Sequence, residues 1–247
     1  VFTRVILDRA QAFDTIPADY EGPLYLEISP QTFPVLVRTG SRLSQIRFRR
    51  GRAELTLDEI NVLQETERLV DTGAPVVGPV GIAVSIDLMG EAWGGLLGYR
   101  AKRHSSVIDV DRKAAHDVLD FWEPIQERGK GEMILDPDEF YILASKEAVV
   151  VPPDYAAEML PFDPLVGEFR AHYAGFFDPG FGHAAAGGKG ARAVLEVRSR
   201  EVPFILEHGQ IVARLVYERM TERPKSLYGQ VGSNYQAQGL KLSKHFR

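Results

Sequence analysis

Two glutamates stand in the middle of apolar, strand-like segments, where a carboxylate is unusual. Glu27 lies within residues 24–28, and Glu196 lies within residues 193–198. Adjacent residues of a strand point to opposite faces, so each carboxylate would lie on the face opposite to that of its apolar neighbours. Burial there would raise the pKa of the carboxyl above about 4.3 and make it a usable general acid and base. The alternatives are a solvent-facing glutamate, or an ion pair of Glu196 with Arg198.

The two glutamates occupy equivalent places in an internal repeat. Residues 25–48 align without a gap to residues 194–217, at an offset of 169 positions. Four aligned pairs are identical, namely Leu26/Leu195, Glu27/Glu196, Pro34/Pro203 and Gly40/Gly209. The shared order of strand, proline, strand, glycine and strand predicts a duplicated β module. The alternative is a pair of unrelated three-stranded meanders.

The elements that must position these glutamates are predicted to be mostly strands. Residues 1–50 are expected to form strands that include 43–48, followed by a helix over 56–70 that opens with a Thr56–Glu59 capping box. A Gly/Pro-rich linker is predicted at 71–81 and a short helix at 111–121. Later strands are predicted at 82–88, 133–135, 140–143, 148–151, 193–198, 202–206 and 211–218. We therefore predict a mostly β protein, in which 1–72 hold the C-terminal part of a first module plus the helix, and 73–247 hold a second module with a C-terminal tail.

Composition favours a globular cytoplasmic protein. The 247 residues are 45% hydrophobic, which is enough to build a core, and no apolar run is long enough to span a membrane. A net charge of −5 gives no general attraction to nucleic acid. The chain has no cysteine, which excludes disulfides, thiolate metal sites and the cysteine-held zinc of the familiar nucleobase deaminases. Since it opens on a strand-like stretch without Met, we expect an upstream portion to be missing.

Several motifs, in a consistent order, resemble the dCTP deaminase branch of the dUTPase-like enzymes. Asp178-Pro-Gly-Phe-Gly, followed by the Leu-Glu pair that ends at Glu196, resembles the family's Asp-Pro-Gly-Trp-x-Gly…Leu-Glu segment. The segment 20–27 is similar to the second half of that motif, and 134–154 resembles the strand pair before the family's active-site loop. The tail from Tyr228 resembles the family's C-terminal segment, which closes over nucleotide. Two copies in one chain resemble the long bacterial form.

This resemblance implies fold, chemistry and site residues. It implies distorted β-barrel (β-clip) modules that form homo-oligomers, with active sites between modules. It also implies hydrolysis of the small-molecule nucleotide dCTP to dUTP and ammonia, with Mg²⁺ accompanying the triphosphate and no zinc or other metal at the catalytic centre. The mid-strand glutamate would be the proton shuttle, a role open to Glu27 and Glu196. Implied substrate-binding residues are Arg170, Asp178, Tyr228, Asn234, Tyr235 and Gln238.

Departures from the family pattern distinguish the two copies. The family's loop reads Ser-Ser-x-x-Arg, but the second copy has Val166 and Gly167 in place of the serines, although Arg170 matches. The first copy's loop would lie before Val1. The resemblance therefore favours Glu27 as the catalytic residue and leaves Glu196 as a relic or a structural carboxylate. The tail has Asn234 where the family has a phosphate-binding Lys, a role that Lys241 or Lys244 could take over.

Two further functions remain open from the sequence. One is a related hydrolase that splits dUTP to dUMP and pyrophosphate, or that performs both steps. The other is a non-catalytic module that binds nucleotide or builds an assembly, which the missing serine pair favours for the second copy.

Three other groups invite functional interpretations, although structural ones are favoured. An arginine cluster could hold phosphate, but a solvated hairpin edge explains it better; its members are Arg38, Arg42, Arg47, Arg49, Arg50 and Arg52. The phenylalanines at 176, 177 and 181 are expected in the core rather than stacked on a base. His172 and His183 are expected to be loop residues rather than metal ligands.

Overall fold

Strands dominate the protein, whose computed structural model describes residues 1–8, 12–72, 75–78, 81–161, 169–171, 175–199, 201–230 and 240–247. The strands are β1 Phe2–Ile6, β2 Tyr25–Ser29, β3 Val35–Leu36, β4 Val77–Gly78, β5 Gly81–Ser85, β6 Leu96–Ala101, β7 Ile108–Asp109, β8 Trp122–Gln126, β9 Glu132–Leu135, β10 Phe140–Val149, β11 Tyr155–Pro161, β12 Phe169–Ala171, β13 Phe176–Phe177, β14 Ala191–Ser199, β15 Phe204–Glu207 and β16 Ile211–Arg219. The helices are α1 Leu57–Glu67, α2 Val118–Phe121 and the 3₁₀ turns Glu91–Trp93 and Ala184–Ala186. The mostly β prediction is confirmed.

The larger of two compact units, residues 49–101 and 122–242, is built on two five-stranded sheets. Their strand orders are β12-β14-β10-β6-β8 and β13-β11-β16-β5-β4. Strand β14 alternates strictly, with residues 191, 193, 195, 197 and 199 buried and the residues between them partly buried. All five residues of β5 are buried, which is typical of a strand covered on both faces. The buried side chains of both sheets form one hydrophobic core.

The smaller unit comprises residues 1–48, 102–121 and 243–247. It contains the antiparallel pair β1-β2 and the short parallel pair β3-β7. Its apolar centre includes an edge-to-face contact of Phe33 with Phe121, whose ring centres are 5.3 Å apart, and Phe246 adds a third ring 5.4 Å from Phe121. The predicted boundary after residue 72 separates two copies of a duplicated module, whereas these two units are defined by their compactness. The boundary therefore stays a prediction.

Helix α1 begins as its sequence predicts. Thr56 is the N-cap, its hydroxyl accepts from the Glu59 backbone N–H, and the Glu59 carboxylate accepts from the Thr56 N–H at 2.8 Å. Ile60 and Leu63 are buried, whereas Leu57 is 45% exposed, so only some of the apolar side chains of the helix face the core. None of the helices in the described part of the chain is long and apolar enough to cross a lipid bilayer.

Four predictions about elements need correction. Residues 43–48 form no regular strand, since no described segment pairs with them. The predicted linker contains β4, because its glycines suit a tight hairpin, in which Gly78 lies opposite Gly81. The predicted helix at 111–121 is reduced to its last turn, α2. The segments 140–143 and 148–151 belong largely to one strand, β10, with a register shift between Ala144 and Ala148.

Candidate active site

Glu27 lies on β2 in the smaller unit, directly opposite Arg4 on β1. The Arg4 Nη2 atom donates to Glu27 Oε1 at 2.7 Å, and the two side chains are 39% and 40% exposed. The Arg4 guanidinium carbon also lies 5.1 Å from the centre of the Phe13 ring. Glu27 is thus a half-exposed carboxylate with one oxygen bound to a cation and the other directed to no described donor.

Glu196 lies in the middle of β14 in the larger unit, directly opposite Ile142 on β10. Its neighbours Leu195 and Val197 are 1% and 0% exposed, so they face the core and Glu196 lies on the other face of the sheet. Burial raises the pKa of the Glu196 carboxyl. No hydrogen bond or ion pair of this carboxylate is found within the described part of the chain, so the alternative of an ion pair with Arg198 is wrong. The Arg198 guanidinium instead lies 5.4 Å from the centre of the Phe140 ring.

The two glutamates therefore share a strand position but differ in surroundings. The matched strands are β2 with β14, and β3 with β15, so two of the three repeated strands are present in both copies. The third repeated strand is present only in the second copy, as β16. Leu26 is 42% exposed, whereas its counterpart Leu195 is 1% exposed. The same sequence pattern is consequently buried in one copy and open in the other.

The Asp178-Pro-Gly-Phe-Gly segment forms a tight turn that receives the start of the tail. The Asp178 carbonyl accepts from the Phe181 N–H, and the Pro179 carbonyl accepts from the Tyr228 N–H at 2.8 Å. Gly180 has φ +96°, and a Cβ there would meet Leu227 Cβ at 2.8 Å. The motif glycine is therefore required for the close approach of the tail. The predicted site residues Asp178 and Tyr228 do lie at one turn.

Core packing supports this turn. The rings of Phe177 and Phe181 are both buried, with centres 4.9 Å apart, and Tyr228 packs 5.6 Å from Phe181. The expectation that these phenylalanines are core residues is confirmed for Phe177 and Phe181. Phe176 is 37% exposed, so that part of the expectation is wrong; Phe176 and Phe177 are consecutive on β13 and point to opposite faces.

The other predicted binding residues lie on β12 or outside the described residues. Arg170 lies on β12, opposite residue 198 of β14, which places its backbone beside the strand that carries Glu196. Asn234, Tyr235 and Gln238 lie outside the described residues, as do Val166, Gly167 and His172.

The arginine cluster is only partly explained by a solvated hairpin edge. In the smaller unit, Arg38 binds both oxygens of Asp109 at 2.7 and 2.9 Å and lowers the pKa of that carboxyl to about 2. In the larger unit, Arg49 binds Glu158 and the buried carboxylate of Glu218. These two arginines fasten their own units, which leaves neither of them as a ready phosphate ligand.

His183 has a structural role, as expected for a loop histidine. Its Nδ1 accepts from the Ala185 N–H at 3.0 Å and so caps the 3₁₀ turn 184–186, while its Nε2 lies 3.1 Å from Glu67 Oε2. Among the described residues, no group of three or more histidines, aspartates or glutamates is arranged to hold a metal ion.

Two residues near the glutamates escaped prediction. Arg4 could have been paired with Glu27 only by knowing the β1-β2 register. Tyr99 on β6 lies opposite Ile142, in the same cross-strand row as Glu196, and burial raises the pKa of its hydroxyl. Strand β6 was not predicted, because its residues 96–101 contain a glycine and an arginine that interrupt the alternation.

Comparison with known proteins gives a consistent result. A family model described as 2'-deoxycytidine 5'-triphosphate deaminase (DCD), C-terminal domain, matches residues 56–246, and the model of the N-terminal domain matches residues 1–52. A curated relative from Methanobrevibacter smithii, named "dCTP deaminase, dUMP-forming", is 29% identical over 123 residues, which are 49% of this chain and 59% of the relative. The chain thus spans less than two thirds of that relative.

A solved structure agrees with the family models. The crystal structure of 2'-deoxycytidine 5'-triphosphate deaminase from Agrobacterium tumefaciens is 70% identical in sequence and superposes with a TM-score of 0.87, over 94% of this chain and 67% of that chain. The predicted dUTPase-like fold class is thereby confirmed. Because the two domain models match consecutive parts of the sequence in order, the chain belongs to the 2'-deoxycytidine 5'-triphosphate deaminase family.

Proposed function

We propose that the protein hydrolyses dCTP to dUTP and ammonia. The observation that carries this proposal is the match of both domain models, in order, to a chain that places a glutamate in the middle of a strand in each half. The 70% identity to the crystal structure of a 2'-deoxycytidine 5'-triphosphate deaminase supports the same activity.

The proposed chemistry needs one carboxylate that both accepts and donates a proton. The carboxylate takes a proton from water while the water oxygen attacks C4 of cytosine, and it passes that proton to N3. A second proton then moves from the new hydroxyl to the 4-amino group, the C4–N4 bond breaks, and ammonia leaves. A positioned group of this kind typically contributes about 10²–10⁴ in rate.

Glu27 is the proposed proton shuttle. Its carboxylate is reachable from solvent, and the contact of Oε1 with Arg4 gives it a defined orientation. Glu196 is the second candidate, because burial raises the pKa of its carboxyl toward the range in which a group can both donate and accept. Glu27 is favoured over Glu196 because the second copy has Val166 and Gly167 in place of the family's serine pair.

The proposed nucleotide-binding residues are Arg170, Asp178, Tyr228, Asn234, Tyr235 and Gln238. The meeting of Asp178 and Tyr228 at one turn supports part of this set. We also propose that Mg²⁺ arrives with the triphosphate, that no zinc takes part, and that the protein acts on a small molecule as a cytoplasmic homo-oligomer. Exposed apolar side chains on β2, including Tyr25 and Leu26, support an assembly.

A second candidate function is deamination followed by loss of pyrophosphate. It is favoured by the relative from Methanobrevibacter smithii, which is named as a dUMP-forming dCTP deaminase. Incubating the protein with dCTP and, separately, with dUTP distinguishes the two functions. Chromatography should show dUTP as the end product from dCTP, and dUMP from either substrate would establish the second function instead.

The role of Glu27 is tested by Glu27→Gln, with Glu196→Gln as its matched counterpart from the repeat. Removing the titrating oxygen should lower the rate of ammonia release from dCTP by about 10²-fold or more, because the shuttle is lost. Circular dichroism should show an unchanged fold. Full activity of Glu27→Gln together with an inactive Glu196→Gln would move the proposed role to the second copy.

A further inference from the structure

We propose that Arg4 is a positioning residue that holds the Glu27 carboxylate in one orientation; this inference depends on the proposed deamination and on Glu27 as its proton shuttle. The two residues face each other directly across β1 and β2, so their side chains lie on the same face of the pair. The contact is charge-assisted, and Arg4 Nη2 lies 2.7 Å from Glu27 Oε1. One carboxylate oxygen is thereby engaged, and the second is left for a proton.

Arg4 is itself held in place from the other side. The Val5 N–H donates to the Phe13 carbonyl at 2.9 Å, which ties the segment around Phe13 back onto β1. The Phe13 ring then lies 5.1 Å from the Arg4 guanidinium carbon, within the range of a cation–π contact. Arg4 Nε is buried and has no hydrogen-bond partner among the described residues. An arginine that only made a surface ion pair would avoid that cost by turning outward, so packing fixes its position.

The second copy shows that strand pairing does not itself require an arginine here. Glu196 has the equivalent place on β14, and the residue directly opposite it is Ile142, which is 6% exposed. The same glutamate position thus pairs with a cation in one copy and with an aliphatic side chain in the other. Arg4 is therefore a feature of the Glu27 site rather than of the repeated sheet.

The two carboxylate oxygens of Glu27 therefore have different roles, since Oε1 binds Arg4 and Oε2 transfers the proton. A half-exposed glutamate samples several rotamers, most of which would point its oxygens away from any fixed water and ring nitrogen. By engaging Oε1, Arg4 restricts Glu27 to the rotamers in which Oε2 remains available. Loss of such orientation lowers the rate of the chemical step more than the affinity for the substrate.

The test compares Arg4→Ile, which installs the residue of the second copy, with Arg4→Lys and with Arg112→Ile, an exposed arginine of the same unit. Ammonia release from dCTP by the full chain gives kcat and KM for each. Arg4→Ile should lower kcat by about 10- to 100-fold with KM changed less than about threefold. Arg4→Lys should recover part of kcat because it restores a cation, and Arg112→Ile should match the wild type.

A double variant shows whether Arg4 acts through Glu27. In the Glu27→Gln background, Arg4→Ile should cause no further loss of kcat, since the carboxylate that it positions is gone. A crystal structure of Arg4→Ile should show the fold intact and the Glu27 side chain without a single orientation. If the wild type is active and Arg4→Ile leaves kcat unchanged, or if the losses multiply in the double variant, the role of Arg4 is overturned and the proposed deamination is not. A wild type that releases no ammonia would overturn the proposed function and this role with it.

Discussion

Glu196 shows how the surroundings of a single side chain change its pKa. It lies on a strand whose adjacent residues face the core, and its carboxylate makes no hydrogen bond or ion pair with a described residue. Burial therefore favours the neutral carboxyl and raises its pKa. Raised carboxyl pKa values are common at active sites, but they also arise wherever a relic carboxylate stays on a covered sheet. Stability measurements can detect the raised pKa regardless of catalysis.

We expect Glu196→Gln to become more stable than the wild type as pH rises. Between the ordinary carboxyl pKa, about 4.3, and the raised folded value, the folded protein binds more protons than the unfolded chain. The free energy of unfolding of the wild type therefore falls through that window, and that of the neutral variant lacks this fall. Urea denaturation of both proteins from about pH 4 to about pH 9 measures the difference. A difference that stays constant with pH would contradict the raised pKa.

Helix α1 shows how an element can be specified locally. Thr56 and Glu59 satisfy each other's backbone N–H groups at its first turn. Hydrogen bonds from Thr56 and from the Arg219 guanidinium lower the pKa of Glu59 to about 2. Arg219 lies at the end of β16, at 2.6 Å from Glu59, so the cap also ties the helix to a central strand. Stability that derives from this charge is present at neutral pH and is lost as pH falls toward 2.

We expect Thr56→Ala to lower the free energy of unfolding by about 1 kcal/mol, since the helix loses its capping hydroxyl. Thr66→Ala is the matched control, because Thr66 lies inside the same helix and its hydroxyl bonds only to carbonyls of the preceding turn. That change should be neutral or slightly stabilising. Urea denaturation followed by circular dichroism compares the two, and equal effects would argue against the capping box as the main stabiliser.

At the scale of the whole molecule, the repeat is a natural comparison of one pattern in two settings. Leu26 and Leu195 are aligned, and each precedes a mid-strand glutamate. Strand β14 lies between β10 and β12, whereas β2 pairs only with β1 among the strands of the described segments. The second copy therefore buries its apolar face in a two-sheet core, and the first copy leaves Leu26 half-exposed.

We expect this difference in burial to appear directly in stability. Leu195→Ala should lower the free energy of unfolding by about 2–5 kcal/mol, because it leaves a cavity in the core. Leu26→Ala should change it by about 0.5 kcal/mol or less, as is usual for exposed positions. Urea denaturation of the two variants measures both values. Similar losses would mean that the face of β2 that carries Leu26 is covered in solution, for example in an assembly.

Only those site residues that a short segment of sequence marks by itself could be predicted. The two mid-strand glutamates were marked by residue type and spacing, and the Asp178 turn and the start of the tail at Tyr228 by their resemblance to the family's motifs. Arg4 and Tyr99 were not, because cross-strand neighbours are set by register between segments that are distant in sequence. The same holds for strand β8, whose residues 122–126 follow no clear alternation and pair with the unpredicted β6.

The sequence by itself determined the mostly β class, the start of α1, the strongly alternating β14 and the family to which its motifs point. The first three depend on propensity or periodicity within a short segment, and the family depends on the resemblance of its motifs. Only the tertiary structure decided which glutamate faces a guanidinium and which faces an isoleucine. It also decided that 212–217 belong to a strand whereas the aligned 43–48 do not, because a strand requires a partner that its own residues cannot supply.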